Sequence, residues 1–170
     1  REPKVADLAI LVALPEPELD YVLRTFSSSW RQEGRDGILF NVGSMFIDDE
    51  EITVVAAVQN DMGMVPAAIL ATKTVGAWQP TLLAMVGVCA GVRGKVELGD
   101  IVIGQDLFDY GSGKLAQGRL KPDYRPVSID ESLCQLAVAL ARERDASAAI
   151  RSEWPIAEAG KPTTDLRVHV

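Results

Sequence analysis

The residues of this chain that could do chemistry gather in three short stretches. "PEPELD" carries the carboxylates Glu16 and Glu18, "QNDMG" ends in Met62 and Gly63, and "VGVCAGVRGK" packs three glycines, the thiol of Cys89 and the cations Arg93 and Lys95 into one turn. Gly94-Lys95 raises the question of a phosphate loop. That motif needs G-x-x-x-x-G-K-[ST], but Cys89 stands at the leading glycine position and Val96 at the hydroxyl position, so nothing would hold Mg²⁺. The alternating run after Lys95 reads as a strand, so no helix N-terminus would face an anion. The dinucleotide fingerprint G-x-G-x-x-G is also absent from the stretch. Cys89 is not read as a nucleophile, because no histidine lies near it in the sequence to activate it. Cys89 and Cys134 show neither zinc-type spacing nor a disulfide framework, and His169 is the sole histidine, so no metal site is expected.

These stretches need elements to hold them. "VADLAILVAL" (Val5–Leu14) is a near-continuous apolar run, as expected of a strand covered on both faces. "PEPELDYVLRTF" places Leu19, Val22, Leu23 and Phe26 at helical spacing. "GILFNVGSMFIDDEEITVVAAV" reads as a hairpin turning near Asp48–Glu50. The helix "MVPAAILATKTVGAW" follows, with Pro66 in its first turn and an apolar face of Val65, Ala68, Ile69, Thr72 and Val75. "TLLAMVGV" predicts a second buried strand and "DIVIG" a third, with Asp100 capping the turn before it. Gln105–Val127 shows no sustained period and reads as loop. "SIDESLCQLAVALARERD" is a helix whose Ser128 and Glu131 form an S-x-x-E capping box, with Leu133, Leu136, Ala137, Leu140 and Ala141 as its buried stripe. His169 falls in a closing strand, "LRVHV".

Buried runs alternating with helices imply an α/β fold, a mainly parallel or mixed central sheet flanked by helices. In such sheets ligands bind at the carboxyl ends of strands, where "ALPEPEL", "QNDMG" and "GVCAGVRG" would all sit. The 170 residues fit one domain, truncated at its C-terminal end because "DLRVHV" stops in mid-strand. With 17 Lys+Arg against 24 Asp+Glu and a net charge of −7, no nucleic-acid or membrane partner is expected. No apolar run reaches the roughly 18–20 residues that span a bilayer. Both cysteines are read as free thiols of a reducing cytoplasm.

"VGVCAGVRGKVELGDIVIG" resembles the strand–turn–strand signature of the nucleoside phosphorylase and methylthioadenosine/S-adenosylhomocysteine nucleosidase superfamily, and two further motifs agree in order. "LAILVALPEPELDYVL" is similar to the family's opening strand and acidic helix start, and "NDMGMVPAAILATKTVGAWQP" to its M-G-x-x-x-A helix. The resemblance covers roughly Val5–Asp109, the N-terminal two-thirds of a three-layer sandwich. It implies that residues after the chain's end would supply the base-stacking, ribose-binding and base-protonating groups.

By this resemblance Glu18 orients the attacking water, with Glu16 as the alternative because "ALPEPEL" carries one extra residue. A plain helix-start carboxylate is the other reading. Met62 and Gly63 would meet the ribose or its 5′ substituent, although Met62 also fits as a buried filler. Gly87, Val88, Cys89, Ala90 and Gly91 would line sugar and base, or simply form a tight turn. Arg93 and Lys114 are candidate contacts for a 5′-phosphate, or members of a solvated surface with Lys95, Arg119 and Lys121. The family's phosphorylases hold phosphate with an Arg and a Ser where this chain has Met85 and Val88, so water is the expected nucleophile. The resemblance thus implies hydrolysis of the N-glycosidic bond of a purine nucleoside or nucleotide, no metal or organic cofactor, and a homodimer. The rivals are a phosphorylase, and a catalytically inactive ligand-sensing module of a larger signalling or defence protein.

Overall fold

The computed structural model describes residues 5–26, 29–141 and 168–169. It divides into two compact units, residues 1–90 and 91–170.

The first unit is built on β1 (Leu8–Val12), a wide turn (Pro15–Leu19), α1 (Asp20–Phe26), β2 (Arg31–Arg35), β3 (Ile38–Ile47), β4 (Glu50–Val58), α2 (Met64–Trp78) and β5 (Leu82–Met85). The strands form one mixed sheet in the order β2-β3-β4-β1-β5. β2, β3 and β4 run as an antiparallel meander, while β4, β1 and β5 are parallel neighbours. Both hairpins close on two-residue turns with positive φ, Asp36-Gly37 (48° and 76°) and Asp48-Asp49 (48° and 68°). This backbone matches the twist of the strands it joins, and Asp and Gly tolerate it best.

Side-chain alternation explains the unbroken apolar runs. Ala9 and Leu11 of β1 join Val55 and Ala57 of β4 under α2, against Leu70, Ala77 and Trp78. Ile10 and Val12 join Val54 and Ala56 on the opposite face, under Val22 with Leu19, Leu23 and Phe26 of the α1 side. Helix on one face and helix on the other make the three-layer α/β sandwich that the sequence implies. Phe40 meets Trp78 edge-on at 5.7 Å, and the Arg35 guanidinium lies 4.5 Å over the Trp78 ring while donating to Ala77 O.

Two expectations change here. The apolar face Val65, Ala68, Ile69, Thr72 and Val75 points outward, and α2 instead buries Leu70, Thr74, Ala77 and Trp78. α2 is apolar nearly all round, so periodicity alone does not choose the side that meets the sheet. Among the described residues β5 is an edge strand bonded only to β1, and Leu82, Leu83 and Met85 are exposed rather than buried.

The second unit holds β6 (Ile101–Val102), β7 (Asp106–Leu107), β8 (Gly113–Ala116), β9 (Arg119–Pro122), β10 (Val127–Ser128), α3 (Glu131–Ala141) and β11 (Val168–His169). The expected loop Gln105–Val127 therefore contains a β8–β9 hairpin, turning at Gln117-Gly118 with φ of 53° and 72°. Ser128 lies in β10 and donates to Asp106, so it does not cap α3. Asp130 does: its Oδ1 accepts the Ser132 N–H at 2.9 Å, and its carbonyl accepts the Cys134 N–H. Side chains buried on α3 are Cys134 and Ala137, while Leu133, Leu136 and Leu140 stand exposed; the Ala141 side chain lies outside the described residues. Asp100 does hold its turn, accepting the Glu97 N–H at 3.0 Å, and it also pairs with His169 Nε2 at 2.8 Å.

Candidate active site

The parallel trio β4-β1-β5 ends its three strands side by side. Val12 is level with Val58 in β4, and Leu11 with Met85 in β5. Gln59 N–H donates to Val12 O and Val86 N–H to Leu11 O, which carries the alignment just past the strand ends. Hence residues 13–19, 59–63 and 86–90 all leave from one edge, with β1 between its two partners. In open α/β sheets this carboxyl edge, where the chain has gone to opposite faces on either side of one strand, is where ligands bind.

The 13–19 segment shows why Glu18 and not Glu16 faces inward. Proline at position 17 disfavours helical backbone at position 16, and Glu16 is extended, with φ −125° and ψ 132°. The extra residue is absorbed in a wide turn closed by Leu19 N–H on Leu14 O, which precedes the regular helix from Asp20. Glu16 is left exposed, and Glu18 is buried.

Glu18 is tied to two of the three segments. Ala13 N–H and Leu14 N–H both donate to its Oε2 at 2.9 Å, and Val88 N–H donates to its Oε1 at 2.9 Å. A carboxylate has about four acceptor positions, two on each oxygen. Three are occupied by these backbone donors, so the remaining position is on Oε1. The side chain thus bridges the turn after β1 and the turn after β5, and retains room for one more hydrogen-bond donor.

The other residues of the first unit take definite places. Gly63 has φ 125°, which favours glycine, and sits at the start of α2, where its carbonyl accepts the Ala67 N–H. Met62 is exposed, which removes its reading as a buried filler. Gly87, Val88, Cys89 and Ala90 form an exposed turn, with Cys89 a free thiol. Gln59 was not among the expected site residues. It is buried at the end of β4, and its Oε1 has no partner among the described residues. The only sequence signal for it is an amide directly after the apolar run "ITVVAAV".

The remaining candidates belong to the second unit. Gly91 begins it, and a Cβ there would collide with the Val96 side chain. Arg93 is exposed in a turn closed by Lys95 N–H on Val92 O, with Gly94 at φ 80°. Lys114 is exposed in β8.

Comparison with known proteins bears on the family and the fold. A sequence model of the family described as the Phosphorylase superfamily matches residues 7–160. The uncharacterized protein y4jS of Sinorhizobium fredii is 30% identical over 114 residues, which cover 65% of this chain and 27% of y4jS. The ATP nucleosidase Cap17 of Escherichia coli is 30% identical over 112 residues, covering 64% of this chain and 22% of that protein. Among solved structures, a Helicobacter pylori MTAN mutant with 5′-methylthioadenosine in its active site superposes with a TM-score of 0.66 at 19% identity, over 82% of this chain and 60% of that one. A mutant futalosine hydrolase of the same species gives a TM-score of 0.65 at 20% identity, over 83% and 60% of the two chains. The chain spans about a quarter of the length of the curated relatives it matches.

Proposed function

The chain belongs to the phosphorylase superfamily, and from that premise we propose that it is a nucleosidase, hydrolysing the N-glycosidic bond of a purine nucleoside or nucleotide. The observation that carries this reading is the buried Glu18 carboxylate, fixed by three backbone N–H groups at the carboxyl edge of the parallel strands with one acceptor position left on Oε1. A carboxylate so held orients one water through that position and takes its proton as the oxygen bonds to the anomeric carbon. The C–N bond breaks as the sugar develops oxocarbenium character, its electron pair leaves with the base, and the base gains a proton overall. Preorganised polar groups lower the barrier because they are aligned before charge develops.

Water rather than phosphate is supported by the residues at the start of the turn. Met85 and Val88 are exposed and offer a dianion no side-chain hydrogen bond. Met62, Gly63 and the turn Gly87–Ala90 are proposed to bind sugar and base, with Gly91 continuing that turn. Arg93 and Lys114 are proposed to meet a 5′-phosphate. Because one relative is named an ATP nucleosidase, ATP belongs in the substrate panel beside AMP, adenosine and methylthioadenosine. A homodimer working in the cytoplasm completes the reading. No helix among the described residues is long and apolar enough to cross a membrane.

The test is release of free base from that panel by the full-length protein, with and without inorganic phosphate. Release at equal rates in both buffers supports the nucleosidase. Release only with phosphate makes the protein a phosphorylase. No release from any substrate, with binding retained, makes it a sensing module.

A further inference from the structure

Glycine at position 87 has no conformational reason to be glycine. Gly63, Gly94 and Gly99 have φ of 125°, 80° and 93°, in the region that favours glycine. Gly87 is not among the residues with positive φ, so an L side chain fits its backbone. The three atoms nearest to an added Cβ all belong to one side chain, that of Glu18. The Cβ would lie 2.6 Å from Glu18 Oε1, 3.1 Å from Cδ and 3.3 Å from Oε2, closer to Oε1 than real Cβ atoms come. The missing side chain leaves the space that the carboxylate fills, next to the Val88 N–H it accepts.

We propose that Gly87 is a positioning residue: whatever its backbone offers sugar or base, its lack of a side chain lets the Glu18 carboxylate lie against the turn and keeps Oε1 in place. The proposal rests on the reading of Glu18 as the water-holding group. The geometry also says how the carboxylate yields. Oε2 is held by Ala13 and Leu14, residues of its own turn, and lies farther from the added Cβ. Alanine at 87 therefore swings the carboxylate about its Oε2 end, keeps those two bonds, and breaks the Val88 bond. The oxygen that is displaced is the one with the free acceptor position.

A double-mutant cycle in the full-length protein tests this, reading kcat and KM for base release together with the Val88 amide proton by NMR. Gly87→Ala alone is expected to lower kcat roughly 10- to 100-fold, since a displacement of about 1 Å can cost that much, with KM within about twofold. The Val88 amide signal should move upfield as its charged acceptor leaves. In a Glu18→Ala background, Gly87→Ala should leave kcat unchanged and shift the Val88 signal only by the small effect of a changed preceding residue, because the colliding group is gone. If Gly87→Ala fails to fold, Glu18→Ala should restore folding to the double variant. An equal loss in both backgrounds, a Val88 shift of the same size in both, or a double variant that stays unfolded overturns the proposal. Should the parent protein release no base at all, the nucleosidase reading falls by itself, and the Val88 signal still decides what Gly87 is for.

Discussion

Glu18 and the candidate phosphate-binding cations stand on very different supports. Glu18 follows a five-residue strand flanked in the sheet by β4, and the facing stretches of both are buried on both sides beneath helices. Lys114 stands on a four-residue strand, and Arg93 in a turn held by short-range bonds. Among the described residues of the second unit only Cys134 and Ala137 are buried, against a double-faced core in the first. A charged group can be aimed only as firmly as the backbone beneath it is fixed. Backbone N–H groups from two turns fix the carboxylate, whereas Arg93 and Lys114 are exposed side chains. The proposed catalytic carboxylate thus rests on a firmer support than the proposed phosphate contacts do.

The heaviest test of this contrast removes the support itself. Trp78 is 1% exposed and packs on Phe40 and Arg35. Trp78→Ala should cost about 3–5 kcal/mol, the range for emptying a large aromatic site, measured by denaturant unfolding. It should also abolish base release at temperatures where the parent is active. Activity that survives with an intact fold would show that the carboxyl edge is organised independently of the core.

Next in size is the carboxylate. Glu18→Gln keeps the shape but puts an amide where one oxygen accepted backbone N–H groups, and it removes the proton acceptor. We expect kcat for base release to fall on the order of 10²- to 10⁴-fold. Glu16→Gln, at an exposed carboxylate, should stay within about twofold of the parent, as surface changes away from special features do. The reverse order of effects would return the catalytic role to Glu16.

The cations come third. If Arg93 and Lys114 meet a 5′-phosphate, each alanine substitution removes an exposed charge interaction, of order 1 kcal/mol or less. KM for AMP should then rise up to about fivefold, while KM for adenosine and both kcat values stay put. Equal changes for the two substrates would remove both residues from the phosphate subsite and leave them as solvated surface.

Much of this contrast could be read in the sequence, and where it could not, the reasons are physical. The unbroken runs of β1 and β4 announced strands covered on both faces, and the acidic start of α1 announced a carboxylate at a strand end. Choosing between Glu16 and Glu18 needed the backbone, because Pro17 forces its predecessor out of helical conformation and turns it to solvent. The outward face of α2 misled for a different reason: Val65, Ile69 and Val75 are as apolar as Leu70 and Ala77, and only the sheet decides between them. β2 reads "RQEGR", too polar to look like a strand, although the Asp36-Gly37 pair beside it is a strong hairpin signal. Gln117-Gly118 marks β8 and β9 more weakly. The Ser128 capping box matched its pattern, but Asp130 stands one residue before the helix and captures the free Ser132 N–H instead.

Asp130 gives the smallest effect and the finest test of the second unit. Its carboxyl is held below its ordinary value of 3.8, chiefly by the hydrogen bond from the Ser132 hydroxyl and then by the Ser132 N–H. A folded-state value below the unfolded one means that the group stabilises the start of α3 above that ordinary value. The contribution is lost as pH falls through the lowered one. Titrating from pH 6 downward, the Ser132 amide signal should move with a midpoint below 3.8. Asparagine caps helix starts about as well as aspartate, so Asp130→Asn should keep the helix and erase the pH dependence of the Ser132 signal. Asp130→Ala should weaken the first turn at every pH. If Asp130→Asn leaves the titration unchanged, the proton is going elsewhere, and the ordering of α3 depends on a group other than its cap.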